Sequence, residues 1–520
     1  MLSIANKSDY AEVLLMANGD RRKIKLNFIF GLSGQIITLI IGLFIPRLFI
    51  MSFGSEVNGF LNSVNQVFVY IALLEAGVGA ASTQALYGPT GKGDHDKING
   101  ILSATHHFYI KTAICYTVSM IVLAFLFPLF VRSTLNYWMM FAIVLLVGSS
   151  SVVAYYAHAK YKLFLSVEGK DYVNTAITTT QQVLLSICKA ILLVCGFNVL
   201  VVQSSYLLLN VLQALVYKGY VKKKYSWINL KVKPDKEAIS QKNSVLIHQI
   251  STLIFNNTDV LVLTFFCDLN AVSIYALYKN FINIIGMLVN NFANSLNFKL
   301  GQSYHNNREY FFRMHNVYET FHVTLTFSLC TIAYLFFMPF IKLYTVGMDI
   351  DYCLTYMPLL IVLVEILSYA RLPMLNVISY AGHFRKTQWR SLAESVINLG
   401  SSLIFVSFLG IYGVLMGTVI ALLYRINDII FYANHKLLNR SVWPTYRLWL
   451  VNIVFAIVTV EIFNLIPFDV SSYFSLFVVA AIVCILVVPL QIVINFLINK
   501  SAGIEMLKII RLKCEKNKES

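Results

Sequence analysis

The chain has 520 residues, of which 58% are hydrophobic and only 13% are charged, and its mean hydropathy is +0.69. A soluble protein of this length needs far more charge to cover its surface, so the soluble classes are excluded. The net charge of +16 does not indicate nucleic-acid binding, because the apolar residues form blocks of about 20, the length that crosses ~30 Å of hydrocarbon. Composition therefore predicts an all-α polytopic membrane protein.

Hydropathy predicts about fourteen membrane spans. Their limits are 25–52, 57–86, 110–131, 137–158, 172–196, 199–218, 243–266, 270–298, 316–345, 354–380, 390–408, 411–434, 446–466 and 473–498. The resulting organisation is an N-terminal extension (1–24), a six-helix lobe (25–218), a basic linker (219–242), a second six-helix lobe (243–435), two additional helices 13 and 14 (436–498) and a basic tail (499–520).

The basic residues concentrate on one side of these spans. Of the 41 Lys and Arg residues, 34 lie in the two termini and in every second connection, whereas the other connections, such as 266–270 and 409–413, are short and carry few cations. This positive-inside pattern predicts a multi-pass cell-membrane protein with both termini in the cytoplasm. The cations of 218–242 either only determine the membrane orientation of the chain or also contact anionic lipid headgroups.

Ten of the ionisable residues inside the predicted spans are candidates for burial. They are Glu75, Lys189, Asp259, Lys279, Glu365, Arg371, Glu394, Arg425, Asp428 and Glu461. A charge at the bilayer centre costs at least ~2.5 kcal/mol, so most of these residues are expected to face protein or water and to be paired. The spans therefore need a polar interior, although Lys189 and Glu461 are expected to be peripheral.

The depth of each charged residue in the membrane can be counted from the nearest outer turn at ~1.5 Å per residue, and residues at equal depth on neighbouring helices are expected to meet. Asp259 and Lys279 flank one outer turn, and Glu394 and Arg425 flank another at similar depths, so each couple is expected to form an ion pair. Deeper residues join the second pair in a predicted inner-half cluster of Glu75, Arg371, Glu394, Arg425 and Asp428.

The charged residues support two functional roles, each with a structural alternative. Arg371 and Arg425, with Arg47 and Lys279, form a candidate cationic site for an anionic substrate; alternatively, the charge pairs only hold helices together. Glu75 lies beside the small residues of 76–82, which let helices approach closely and leave room for solvent. It is a candidate proton or cation switch, as is Asp259, unless a nearby Arg simply neutralises it.

Three segments resemble bacterial polysaccharide flippases of the Wzx type. They are residues 73–104, 256–285 and 382–421, and the last contains Gly-x-Phe-x-x-Thr-Gln, Glu-x-x-x-Asn-Leu and Gly-Val-x-x-Gly-Thr. The resemblance covers most of residues 25–435. It implies the fold of the multidrug/oligosaccharidyl-lipid/polysaccharide exporters, with two six-helix lobes in a V and alternating access.

The resemblance also implies a substrate, an oligosaccharide joined through pyrophosphate to a polyprenyl carrier and flipped for export of cell-surface polysaccharide. A water-filled cavity lined by Arg and Lys would reduce the cost of desolvating the pyrophosphate, and aromatic residues, 14% of the chain, can stack on sugar faces. The two additional helices resemble the lipid II flippase branch instead, in which the extra pair forms a groove for the lipid tail.

Three alternatives remain from the sequence: a lipid II flippase, a cation-coupled multidrug exporter of the same fold, and an integral membrane glycosyltransferase or polymerase. A multidrug exporter needs an acidic pocket, and a polymerase needs a large outer loop, for which only Asp349 and Asp351 are candidates. A gradient of H⁺ or Na⁺ is expected to drive transport rather than ATP, because Gly93 follows Lys92 where a phosphate-binding loop requires Ser or Thr. The eight cysteines lack metal-ligand spacing, so no metal or cofactor is expected.

Overall fold

The computed structural model describes residues 5–235, 237–238, 242–466 and 472–519. Within these ranges the chain forms 17 α-helices and two π-helical turns, which confirms the predicted all-α class. Small parts of the predicted N-terminal extension, basic linker, 13–14 connection and tail lie outside the described residues. The chain divides into two compact units, unit 1 (Met1–Leu253) and unit 2 (Ile254–Ser520).

The helices of unit 1 are bounded by short turns. They are α1 (Ala5–Ile71), α2 (Leu73–Lys92), α3 (His95–Phe130), α4 (Tyr137–Val153), a π-helical turn (Ala154–His158), α5 (Ala159–Val167), α6 (Asp171–Val194) and α7 (Val199–Lys224), and α8 (Lys242–Phe266) begins in this unit. Unit 2 continues with α9 (Leu269–Asn306), α10 (Arg308–Tyr344), α11 (Met357–Tyr369), α12 (Leu372–Tyr380), α13 (Phe384–Leu409), α14 (Ile411–Tyr432), a π-helical turn (Ala433–Leu437), α15 (Trp443–Leu465), α16 (Tyr473–Ile498) and α17 (Lys500–Glu519).

Twelve helical segments of the described chain are long and apolar enough to cross a membrane, against about fourteen expected. The first of them, Ile29–Ile71, has 43 residues, about twice the ~20 that one crossing requires. It contains the break at Gly54 (φ 85°), which lies between the first two predicted spans. The predicted span 243–266 corresponds to α8 (Lys242–Phe266), of which Asn257–Phe266 is the apolar stretch among the residues whose side chains are described.

Polar caps mark where several helices begin. Asp94 precedes α3 and accepts a hydrogen bond from Lys97 N at 3.1 Å, and Asp268 does the same for Ala271 N at 2.7 Å before α9. Such caps satisfy backbone N–H groups that have no partner inside the helix. Lys92 and Gly93 therefore belong to a helix end, with Gly93 in the left-handed conformation (φ 66°), and not to a phosphate-binding loop.

The basic linker is partly integrated into unit 1. Residues 225–235 lie along α3, where Asn99 binds the backbone of Trp227 and Asn229, and Ser103 Oγ donates to the Val232 carbonyl at 2.8 Å. The ring of Trp227 stacks on His95 with centroids 3.8 Å apart. Since α7 itself extends to Lys224, residues 219–235 are a structural part of this unit.

The two additional helices of unit 2, α15 and α16, are attached through buried amides. Ser328 Oγ on α10 donates to Gln491 at 2.7 Å, Gln491 donates to Asn452 at 2.7 Å, and Asn452 exchanges hydrogen bonds with Asn495. Most other side chains of α16 are apolar and exposed, as expected where a helix faces lipid. Polar contacts therefore fix these helices to α10 in a medium where apolar surface alone gives no driving force.

Candidate functional site

The candidate site of unit 2 is built on the close packing of α13 and α14. Gly413 and Gly417 face α13, where a Cβ on either residue would run into backbone atoms of Phe405 or Ser402. The third element is the break between α11 and α12, which is placed by Pro373, a residue that cannot donate a helical hydrogen bond. Arg371 lies in this break.

Four of the five predicted cluster residues meet here. Glu394 accepts from Arg371 Nη1 at 2.6 Å, and its other oxygen lies 3.3 Å from Arg425 Nε. Arg425 Nη1 also donates to Asp428 at 2.6 Å, one turn further along α14. The Glu394–Arg425 pair predicted from depth is therefore present, and it is well buried, with Arg425 3% and Glu394 6% exposed.

Two residues complete this cluster that the sequence reasoning missed. Arg390 binds Asp428 and lies over the ring of Tyr432, with 4.9 Å between the guanidinium carbon and the ring centroid. Ser391 accepts from Arg425 Nη2 at 2.8 Å. Arg390 is the first residue of the predicted span 390–408, and it lies four residues before Glu394, a spacing that places both on one helix face.

The cluster contains more positive than negative charge. Three guanidiniums (Arg371, Arg390, Arg425) share two carboxylates (Glu394, Asp428), so one positive charge remains without an acidic partner inside the cluster. Arg371 Nε is buried and has no hydrogen-bond partner among the described residues. Guanidinium N–H groups of this kind bind phosphate and carboxylate oxygens in a fixed geometry.

Asp259 and Lys279 are not in direct contact. Asp259 accepts from Tyr275 Oη at 2.8 Å and from Thr418 Oγ1 at 3.2 Å, and Lys279 acts on its carboxylate electrostatically from beyond ion-pair distance. Depth fixes the height of a side chain but not the direction in which it leaves the helix. The Asp259 carboxylate leaves toward α14 and is 5% exposed.

A second buried acid lies in the same unit. Glu365 on α11 is 2% exposed, and its Oε1 has no hydrogen-bond partner among the described residues. It fits against α9 only because Gly286 has no side chain there; a Cβ would overlap Glu365 Oε1 and lie 2.6 Å from Tyr369 Oη. The Oδ1 atom of Asn398 is also buried without a partner, although its Nδ2 donates to Thr418 at 2.9 Å. Oxygen atoms of this kind suit a proton or a hard cation.

Glu75, the fifth residue of the predicted cluster, belongs to unit 1. It accepts from Tyr109 Oη at 2.8 Å, and Gly79 leaves the space that its carboxylate uses, since a Cβ there would lie 2.6 Å from Oε1. A small residue thus makes room for this acid, as the sequence predicts. Arg47 is half-buried on α1, and Lys279 is half-buried on α9.

Comparison with known proteins identifies the fold. No protein-family profile and no curated protein sequence matches the chain. The lipid II flippase MurJ, in its inward closed conformation, is similar over 90% of this chain and 99% of its own, with a TM-score of 0.68 and 16% identity. An inward-facing multidrug-resistance MATE transporter matches over 77% and 94% (TM-score 0.56, 16% identity), and a transporter from Pyrococcus furiosus over 80% and 96% (TM-score 0.53, 16% identity).

The chain has the fold of the MOP-superfamily transporters. This confirms the predicted superfamily fold. At 16% identity the likeness shows the fold alone, so membership of the Wzx-type family stays a prediction.

Proposed function

We propose that this MOP-fold protein is a flippase that moves polyprenyl-pyrophosphate-linked oligosaccharide across the cell membrane by alternating access, for export of cell-surface polysaccharide. The observation that carries the proposal is the net positive charge of the Arg371–Arg390–Arg425 cluster in a chain that crosses a membrane. The Arg425 side chain is buried there, whereas that of Arg390 is 42% exposed. A pyrophosphate supplies the missing negative charge and accepts hydrogen bonds from the same donors. Arg47 and Lys279 are further candidates for contact with the anionic headgroup.

Ion coupling is assigned in this proposal to the buried acids. Asp259 accepts hydrogen bonds from neutral donors, and Lys279 acts on it only from a distance, so binding of H⁺ or Na⁺ would neutralise a buried negative charge that is otherwise costly. Glu75, held by Tyr109, is the corresponding candidate in unit 1. Glu394 and Asp428 are ion-pair partners that orient the arginines.

The test is a reconstituted flipping assay. Proteoliposomes containing a polyprenyl-pyrophosphate oligosaccharide are scored for sugar that becomes accessible to an enzyme outside the vesicle. Wild type should flip the substrate, Arg425→Met should not, and Asp259→Asn should flip without responding to a gradient of Na⁺ or H⁺. Glu461→Gln, which removes an exposed acid of α15, is the matched control and should behave as wild type. Flipping at the wild-type rate by well-folded Arg425→Met would refute the proposed role of the cluster.

A lipid II flippase is the second candidate. The observation that favours it is coverage: the similar lipid II flippase structure matches 90% of this chain, whereas the multidrug transporters match 77–80%. Both substrates carry the same pyrophosphate, so the cluster does not distinguish them. Parallel flipping assays with lipid II and with a polyprenyl-pyrophosphate-linked oligosaccharide distinguish the two candidates. An export assay with a cationic dye tests the multidrug alternative.

A further inference from the structure

Unit 1 contains a buried lysine without an acidic partner. Lys160, in the first turn of α5, is 4% exposed, and its Nζ donates to the carbonyl oxygens of Tyr156 at 3.0 Å and Ala157 at 3.1 Å. In the described ion pairs of the chain, no Asp or Glu lies within 4.0 Å of it. An ammonium group has three donors, so the two carbonyls leave one without a hydrogen-bond acceptor, although Nζ also lies 5.0 Å from the ring centroid of Tyr161. A buried cation in this position favours an anion beside it.

Several polar atoms around this lysine also lack a partner. His158 Nδ1 and Tyr217 Oη are buried without a hydrogen bond among the described residues, and their rings stack with centroids 5.2 Å apart. His106 on α3 has a buried Nδ1 in the same state. Lys160 interacts electrostatically with both histidines, which places the three side chains in one neighbourhood.

The packing of unit 1 holds these residues together. The π-helical turn Ala154–His158 contacts α3 and α7, and α5 contacts both helices as well. The ring stack of His158 on Tyr217 joins the turn to α7 directly. Three separate segments of the chain therefore contribute to one small cationic region. Lys162 and Lys218 add positive charge around it, and Asp171, which acts on Tyr217, adds one negative charge.

Depth places this region at the level of lipid phosphates. Lys160 lies about 23 residues along the helical path that starts at Tyr137, or ~35 Å, and His106 lies a similar distance from Phe130 at the other end of α3. With the connection between α3 and α4 at the outer edge of a hydrocarbon core ~30 Å thick, both residues would lie just beyond the inner edge, in the headgroup layer. The charge distribution predicts that this is the cytoplasmic side.

We propose that Lys160, His106 and His158 form a binding site for a phosphate group carried by a lipid. The ammonium supplies the charge, and the histidine rings with Tyr217 supply hydrogen-bonding atoms. The site differs from the arginine cluster because it belongs to unit 1, and it does not depend on the protein being a flippase. The lipid is either an ordinary anionic phospholipid or a polyprenyl phosphate, since both present the same group at this depth.

The experiment is a displacement assay on the purified full-length protein in neutral detergent. Fluorescent phosphatidic acid is bound first and then displaced by unlabelled phosphatidic acid, polyprenyl phosphate, diacylglycerol or inorganic phosphate. Both phosphate-bearing lipids should displace the probe at similar concentrations, and diacylglycerol, which has no phosphate, should not. Displacement by polyprenyl phosphate at a concentration at least about tenfold lower than phosphatidic acid requires would assign the site to a carrier lipid, whereas equal displacement by inorganic phosphate would overturn the role of the lipid.

Variants test the residues. Lys160→Gln keeps a donor for the carbonyls but removes the charge, and it should weaken binding at least about tenfold, the usual size of a charge-assisted hydrogen bond. His106→Gln, at a half-buried position, should weaken lipid binding severalfold. It replaces Lys160→Gln as the test if that variant does not fold. Lys92→Gln is the matched control, because it removes an equal charge from an exposed position of unit 1 outside this region. Wild-type binding by both test variants, or an equal loss in Lys92→Gln, would overturn the proposal.

Discussion

Arg425 is the residue whose surroundings best separate a structural from a functional role. Each carboxylate of the cluster has two arginine partners: Glu394 binds Arg371 and Arg425, and Asp428 binds Arg390 and Arg425. Without Arg425, both acids keep one guanidinium, and the cluster becomes neutral. A purely structural cluster would therefore need only Arg371 and Arg390.

This arrangement gives a prediction for matched substitutions. Arg425→Met should lower the free energy of unfolding by only about 1–2 kcal/mol, because each acid retains a partner, but it should abolish flipping. Glu394→Gln should cost more, about 3–5 kcal/mol, because Arg371 then has no carboxylate and stays buried. Thermal unfolding of the purified variants and the flipping assay measure the two effects. A larger loss of stability in Arg425→Met than in Glu394→Gln would contradict the surplus-charge interpretation.

Glu75 gives a second prediction at this scale. Glu75→Gln keeps an oxygen that accepts from Tyr109 and removes only the charge, so stability should change little while the response to an ion gradient is lost. Tyr109→Phe removes the donor of a 2.8 Å hydrogen bond and should lower stability by about 1.5–3 kcal/mol. Transport by Glu75→Gln that still follows the gradient would exclude this residue as the coupling acid and leave Asp259 as the candidate.

At the scale of elements, the α13–α14 packing predicts opposite effects of one substitution at two glycines. In Gly417→Ala the new Cβ would lie 2.5 Å from Ser402 N and 2.8 Å from its Cα, and backbone cannot move aside, so the helices separate at a cost of about 1–3 kcal/mol. Gly400→Ala, in the middle of α13, meets no atom within 4 Å and should be neutral or stabilising by about 0.5–1 kcal/mol. Thermal unfolding of the two variants checks both signs, and equal losses would refute the close approach of these helices.

The elements also show what the sequence could and could not predict. Residues at equal distance from a short turn meet across an antiparallel pair of helices, and this geometry sufficed for Glu394 and Arg425. It failed for Asp259, because Thr418, one of its partners, lies on α14, far along the chain. Arg390 was missed since it lies where a connection becomes a helix, the least certain part of any hydropathy boundary. The amides that attach α15 and α16 have no periodic signal, so their contacts with α10 came only from the structure.

For the whole molecule, the predicted topology places both ends of the chain in the cytoplasm, and two native cysteines can report on it. Cys267 lies between α8 and α9, and Cys353 lies between α10 and α11, both in connections predicted to be outside. Burial, and then the neighbouring carboxylate of Asp268, raises the pKa of Cys267; burial and Asp351 raise the pKa of Cys353 in the same way. Labelling of these two cysteines therefore tests both the predicted topology and the effect of each local environment on the thiol.

Single-cysteine variants in intact cells should react with a membrane-impermeant maleimide at Cys267 and at Cys353, whereas Cys514 in the predicted cytoplasmic tail should react only after the membrane is opened. Only the thiolate is reactive, so a raised pKa means slow labelling near neutral pH that keeps accelerating above the pH at which a free thiol levels off. Asp268→Asn should bring the profile of Cys267 back toward that of a free thiol. Labelling of Cys514 in intact cells, with Cys267 protected, would show that the chain has the opposite orientation. The proposed site at Lys160, His106 and His158 would then face the outer surface.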